Sequence, residues 1–172
     1  MISRRVVASK ARSPKSRSNA SEPAAPDAAA QAWQRAVRLL AAHDRSEQEI
    51  RSRLAAGGAL SGAIDATVRR LRELRYLDDQ RFAHAVAEQA QRSGRGSEYV
   101  RATLAAKGVT EALIESAVAA SFDDESALAR QALARRYPDG PATAAERSKA
   151  ARFLLRRGFP EAVVFAILGE DC

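Results

Sequence analysis

Three glycines, Gly58, Gly108 and Gly158, stand 50 residues apart, and their surroundings repeat with them. Four residues before each glycine is a leucine: Leu54, Leu104 and Leu154. Six and ten residues after each come apolar pairs: Ile64 and Val68, Ile114 and Val118, Val164 and Leu168. Four matched positions in three copies mark an internal repeat, and a repeat of this length restricts the chain to a tandem array of small supersecondary units.

The grammar of one copy identifies the unit. An apolar residue followed four later by leucine lies on one helical face, and the glycine four residues on supplies the left-handed stop that other residues adopt only with strain. A second amphipathic helix follows (Ile64, Val68, Leu71). A third lies upstream in each copy, read from Trp33, Val37 and Leu40, from Phe82, Val86 and Ala90, and from Leu128, Ala132 and Leu133. No alternating run rich in Val, Ile and Thr occurs, so no sheet is expected. The expected fold is all-α: three tandem three-helix repeats over 29–75, 76–121 and 122–172, in an elongated, curved array. Each unit alone is too small to be stable without its neighbours.

Residues 1–28 mix Ser, Ala, Pro, Arg and Lys with almost no large apolar side chain. Such a stretch cannot offset its ordering entropy, and a disordered basic tail is expected. This matters for the charge. The formal net charge is +7, but six cations against two acids sit in residues 1–30, leaving +3 for the rest. The second unit has five cations against six acids, and the third has eight of each. Cys172 is the lone cysteine, which excludes an internal disulfide and a Cys-based metal site and is consistent with a reducing cytoplasm. No apolar run is long enough for a membrane helix, and no secretory leader is expected.

Local signals place the elements. Ser46 with Glu49, and Thr143 with Glu146, have capping-box spacing. Tyr137-Pro138-Asp139-Gly140-Pro141 marks a turn, and Pro160 suits a helix start. Asp78-Asp79 could suggest a carboxylate pair for Mg²⁺, but no third acid or histidine stands at ligand spacing. The residues read as a helix cap, with both charges favoured at a helix N-terminus. Arg92-Ser93-Gly94-Arg95-Gly96 is a joint with two cations and a Gly-rich backbone, able to meet phosphate or a carboxylate surface. It lacks the Gly-Lys-Ser/Thr ending and preceding strand of a nucleotide-binding loop. His43 and His84 have no triad or metal spacing. No enzyme activity and no cofactor are expected.

The run Tyr76-Leu77-Asp78-Asp79-x-Arg81-Phe82-Ala83, then Arg92-x-Gly94-x-Gly96, then Val100-Arg101-x-x-Leu104-x-x-Lys107-Gly108, resembles the signature of the bacterial RecX regulatory proteins. The resemblance extends over about residues 30–168, and the middle unit is its specific part. It implies a non-enzymatic cytoplasmic modulator that binds the RecA recombinase and its nucleoprotein filament, restrains ATP hydrolysis and strand exchange, and so controls recombination and DNA repair. It also implies an array lying along the filament groove. The basic tail is outside the family pattern.

Cations stand beside the apolar stripes and in the joint before the middle one: Arg81, Arg92, Arg95, Arg101 and Lys107 in the second unit, Arg152 and Arg157 in the third, with Arg101 and Arg152, and Lys107 and Arg157, at related repeat positions. They are the candidate partner-binding residues, a row that could meet an acidic protein groove or, weakly, DNA phosphates. The competing reading is a solvated face for each cation, and for the whole chain a stand-alone helix-turn-helix-like DNA-binding protein. The small charge of the folded part favours the filament regulator, expected to act as a monomer.

Overall fold

The computed structural model describes residues 25–169, and among these there are nine helices and no strand. The first unit has α1 (Ala25–Ala42), α2 (Glu47–Ala56) and α3 (Ser61–Glu73). The second has α4 (Asp79–Arg92), α5 (Ser97–Ala106) and α6 (Glu111–Ser121), and the third α7 (Glu125–Arg136), α8 (Ala144–Arg156) and α9 (Glu161–Leu168). The stretch read as a disordered tail lies largely outside the described residues, and α1 already begins at Ala25.

The repeated leucine–glycine spacing becomes one repeated turn. Gly58, Gly108 and Gly158 all have positive φ, between 72° and 81°. The amide after each glycine (Ala59, Val109, Phe159) donates to the carbonyl of the unit's leucine (Leu54, Leu104, Leu154) at 3.1–3.2 Å. This closes the end of the second helix with a glycine-based cap. Both capping boxes form: Ser46 Oγ accepts from the Glu49 amide, Thr143 Oγ1 accepts from the Glu146 amide, and each glutamate accepts in return from its cap's amide.

Each unit has its own core. Leu54, Leu104 and Leu154 are fully buried, each at the centre of a separate cluster. Leu77 packs into the first cluster, although it precedes α4. The upstream helix is oriented differently from the reading through Trp33, Val37 and Leu40. Val37 is 39% exposed, and Ala32 and Ala36 face the core with Trp33 and Leu40 partly buried beside them. In α4 and α7 the expected faces are the buried ones, through Phe82 and Ala90 and through Ala132 and Leu133, with Ala83, Ala87 and Ala129 beside them. Alanine removes little area from water, but it lets the first and third helices of a unit pack closely, and those helices meet extensively in every unit. Every extensive helix–helix contact lies within one unit.

Candidate partner-binding surface

The units are joined end to end, and the joints decide which cations remain free. At both joints the N-terminus of one unit's second helix sits on the closing turn of the next unit's second helix. In the first, Ser46 Oγ donates to the Lys107 carbonyl at 2.5 Å, and Lys107 Nζ donates to Glu49 Oε1 at 3.0 Å. In the second, the Gly96 amide donates to the Arg157 carbonyl and the Glu98 amide to the Gly158 carbonyl, both at 3.0 Å. Arg157 reaches back to the carbonyls of Ser93 and Gly94, at 3.0 Å each. Ser46 and Gly96, and Lys107 and Arg157, are 50-residue equivalents.

The acid pairs complete both joints. Asp78 and Asp124 cap their own helices, accepting the amides of Arg81 and Ala127. The acid that follows reaches into the preceding unit. Asp79 Oδ1 accepts the Glu47 amide at 2.8 Å, and Glu125 accepts the Ser97 amide at 2.7 Å and its hydroxyl at 2.8 Å. Each recipient amide is an otherwise unpaired donor in the first turn of a helix, where a carboxylate is favoured. Burial pushes the Asp79 carboxyl up from its ordinary value, partly opposed by the bond from the Glu47 amide. The sequence reading of Asp78-Asp79 as a cap holds for Asp78; the span of Asp79 across the joint was not visible in it.

The seven candidate cations divide accordingly. Lys107 and Arg157 are held in the joints, and Lys107 also lies 5.6 Å from the Phe82 ring. Arg101 bonds Glu115 through two nitrogens, at 2.7 and 3.0 Å, and pairs with Glu98 at 2.9 Å. Its equivalent Arg51 bonds Asp65 at 2.6 Å, so this clasp between second and third helices is repeated. The Arg101 guanidinium holds the Glu115 carboxyl below its ordinary value, and its own pKa is raised in return. Position 101 is therefore not a bare cation. Arg81 and Arg92 are exposed on α4; Arg92 pairs with Glu88 at 3.4 Å, an interaction of little strength at such exposure. Arg95 lies over the Tyr99 ring at 4.5 Å, and Arg152 is exposed on α8. Arg92 and Arg95 share the joint after α4, whereas Arg152 is on the third unit.

Sequence reasoning passed over one grouping. A cavity of about 330 Å³ is lined by Arg136, Tyr137, Lys149, Arg152, Phe153 and Arg156. The signal was available, since Lys149, Arg152 and Arg156 recur at i, i+3 and i+7 on one face of α8. Among the described residues no group of three or more His, Cys, Asp or Glu could hold a metal ion, and no helix is long and apolar enough to cross a membrane.

Comparison with known proteins agrees with the threefold division. The models of the first, second and third RecX three-helix domains match residues 32–71, 78–118 and 123–168. The regulatory protein RecX of Xanthomonas axonopodis pv. citri (strain 306) is 39% identical over 127 residues, covering 73% of this chain and 78% of that protein. That of Geobacillus kaustophilus (strain HTA426) is 35% identical over 150 residues, covering 84% of this chain, which spans only 55% of that longer relative. The crystal structure of RecX from Lactobacillus salivarius superposes with a TM-score of 0.72 at 19% identity, covering 84% of this chain and 97% of that one, a likeness of fold. The chain belongs to the RecX family of regulatory proteins.

Proposed function

We propose that this protein binds the RecA recombinase and its nucleoprotein filament and restrains ATP hydrolysis and strand exchange, in the control of recombination and DNA repair. The observation that carries this reading is the series itself: three units of one family, coupled by a joint used twice. A body whose contact points recur at fixed intervals can register with the recurring protomers of a polymer, which a single bundle cannot do. Arg81, Arg92, Arg95 and Arg152, with side chains exposed or half-exposed and not engaged in holding either joint, supply the charge for an acidic groove. Lys107 and Arg157 contribute by holding the units in register, and Arg101 by clasping the second and third helices of its own unit.

Co-sedimentation with recombinase filaments on single-stranded DNA, with bare DNA as control, tests the proposal. Filament-dependent pelleting is expected, together with inhibition of filament ATP hydrolysis that Arg92→Ala/Arg95→Ala weakens. Charge-assisted contacts of about 1–2 kcal/mol each correspond to roughly a 30-fold or greater shift for two. Equal affinity for bare DNA and filament would instead favour the stand-alone DNA-binding protein.

A further inference from the structure

We propose that the outer groove between α8 and α9 is a self-association surface, through which two copies of this chain pair about a two-fold axis. The first unit shows the groove in its polar form. Between α2 and α3 it has a volume of about 280 Å³, and Arg51, Ser52, Ala55, Ser61 and Asp65 are among the residues that line it. Arg51 and Asp65 clasp it at 2.6 Å. In the second unit the equivalent residues are Arg101, Ala102, Ala105, Glu111 and Glu115, and the clasp forms again between Arg101 and Glu115.

In the third unit the same positions are Ala151, Arg152, Leu155, Glu161 and Phe165. The clasp is gone: its arginine has become a buried alanine, and its acid has become Phe165. Leu155 replaces an alanine on the opposite wall. The two large side chains are 39% and 41% exposed, at positions that are polar or small in the other units. Residues 162–169 carry no charge, and the outer side of α9 sets Phe165 between the exposed Ala162 and Ala166, small residues that let another helix approach closely. An apolar patch rimmed by polar residues, where the repeat elsewhere keeps charge, marks a contact surface.

The charges on its walls fit a second copy. Arg152 stands on the α8 wall and Glu161 on the α9 wall, both exposed, and neither is held in an ion pair among the described residues. A copy turned about an axis along the groove lays its α9 wall on this α8 wall and its α8 wall on this α9 wall. The wall with the cation then meets the wall with the acid twice, and Leu155 and Phe165 of both copies are buried between them. The tail, residues 1–24, is a poor occupant: Ile2, Val6 and Val7 are interleaved with Arg4 and Arg5 among six cations, which would face Arg152 and Arg156. Two short helices bury less than the roughly 800 Å² per partner of a standard interface, so the dimer is weak. The monomer expected from the sequence is then the dilute state. This face leaves Arg81, Arg92 and Arg95 of the second unit uncovered.

The inference is independent of the filament reading, because it is measured on the protein alone. Sedimentation equilibrium of the full chain from about 5 to about 500 µM should show monomer and dimer in exchange, with reductant present so that Cys172 links no copies. Leu155→Ala/Phe165→Glu gives these two positions the residues of the second unit. It should weaken the dimer roughly 30-fold or more, with circular dichroism showing a folded protein. Arg152→Glu and Glu161→Arg should each weaken pairing at low salt. An equimolar mixture of those two variants should restore it, because every wall then meets its opposite, and this recovery separates lost pairing from lost folding. A chain that is monomeric over the whole range would overturn the inference. So would a dimer unchanged in the Leu155/Phe165 variant, or a mixture that pairs no better than either charge variant alone. Displacement of the dimer by a peptide of residues 1–24 would assign the groove to the tail and overturn it as well.

Discussion

Gly96 and Gly158 meet backbone to backbone across the second joint, so closely that a methyl group on Gly96 would collide with the Gly158 carbonyl. The displacement would have to be taken up by main chain, because the obstructing atoms belong to Gly158 and Phe159. Gly96→Ala should therefore destabilise the third unit by about 1–3 kcal/mol. Amide exchange should show faster opening of α8 and α9 while the first core stays protected. Gly62→Ala, where the new methyl group meets nothing within 4 Å, is the control and should be neutral or mildly stabilising.

Leu104→Ala should cost about 2–4 kcal/mol, since the side chain is fully buried in the central cluster. Leu54→Ala and Leu154→Ala should fall in the same range. Denaturant melts check this, and a loss below about 1 kcal/mol at any one site would mean that its core tolerates a cavity the others do not.

These leucines, the closing glycines and both capping boxes were legible in the sequence because they act within one unit, where periodicity and capping chemistry are local. The buried face of α1 was not. In a chain this rich in alanine, the stripe through Ala32 and Ala36 competes with the one through Trp33 and Val37, and hydrophobicity alone favours the larger side chains. The roles of Lys107, Arg157, Asp79 and Glu125 were hidden for another reason. Their partners lie in neighbouring units, 28 to 64 residues away, and a repeat pattern does not encode how copies meet. The candidate surface thus combined exposed cations with cations that hold the units together.

Asp79→Ala should lose about 1–3 kcal/mol, because it leaves the Glu47 amide without its acceptor. Asp79→Asn keeps an acceptor and removes the half-buried charge, so at neutral pH it should match or exceed wild type. The sign follows from the raised carboxyl: the cost of burying its charge is absent below the ordinary value of 3.8 and complete above the raised one. The advantage of Asn should accordingly fade on acidification, as thermal melts at pH 7 and pH 3 would register.

Glu115 behaves in the opposite sense. Its carboxyl is held below the ordinary 4.5 by the Arg101 guanidinium, so the pair's contribution is present above that value and lost as pH falls through the lowered one. Arg101→Met should cost about 0.2–1 kcal/mol at pH 7, solvent screening included, and the difference from wild type should narrow at pH 3. A gap independent of pH would assign the loss to packing of the arginine stem rather than to charge.

The joints also impose an order on biosynthesis. Ser46 awaits the carbonyl of Lys107, 61 residues later in the chain, and Gly96 awaits that of Arg157 at the same remove. At about 5–20 residues per second the ribosome supplies each partner some 3–12 s after the residue that waits for it. Through that interval the leading unit has its own helices but not its seat, and what completes it is always the turn of a unit still being made. A chain released early, after the second unit, would therefore carry the amides of Gly96, Ser97 and Glu98 without the acceptors that the third unit supplies.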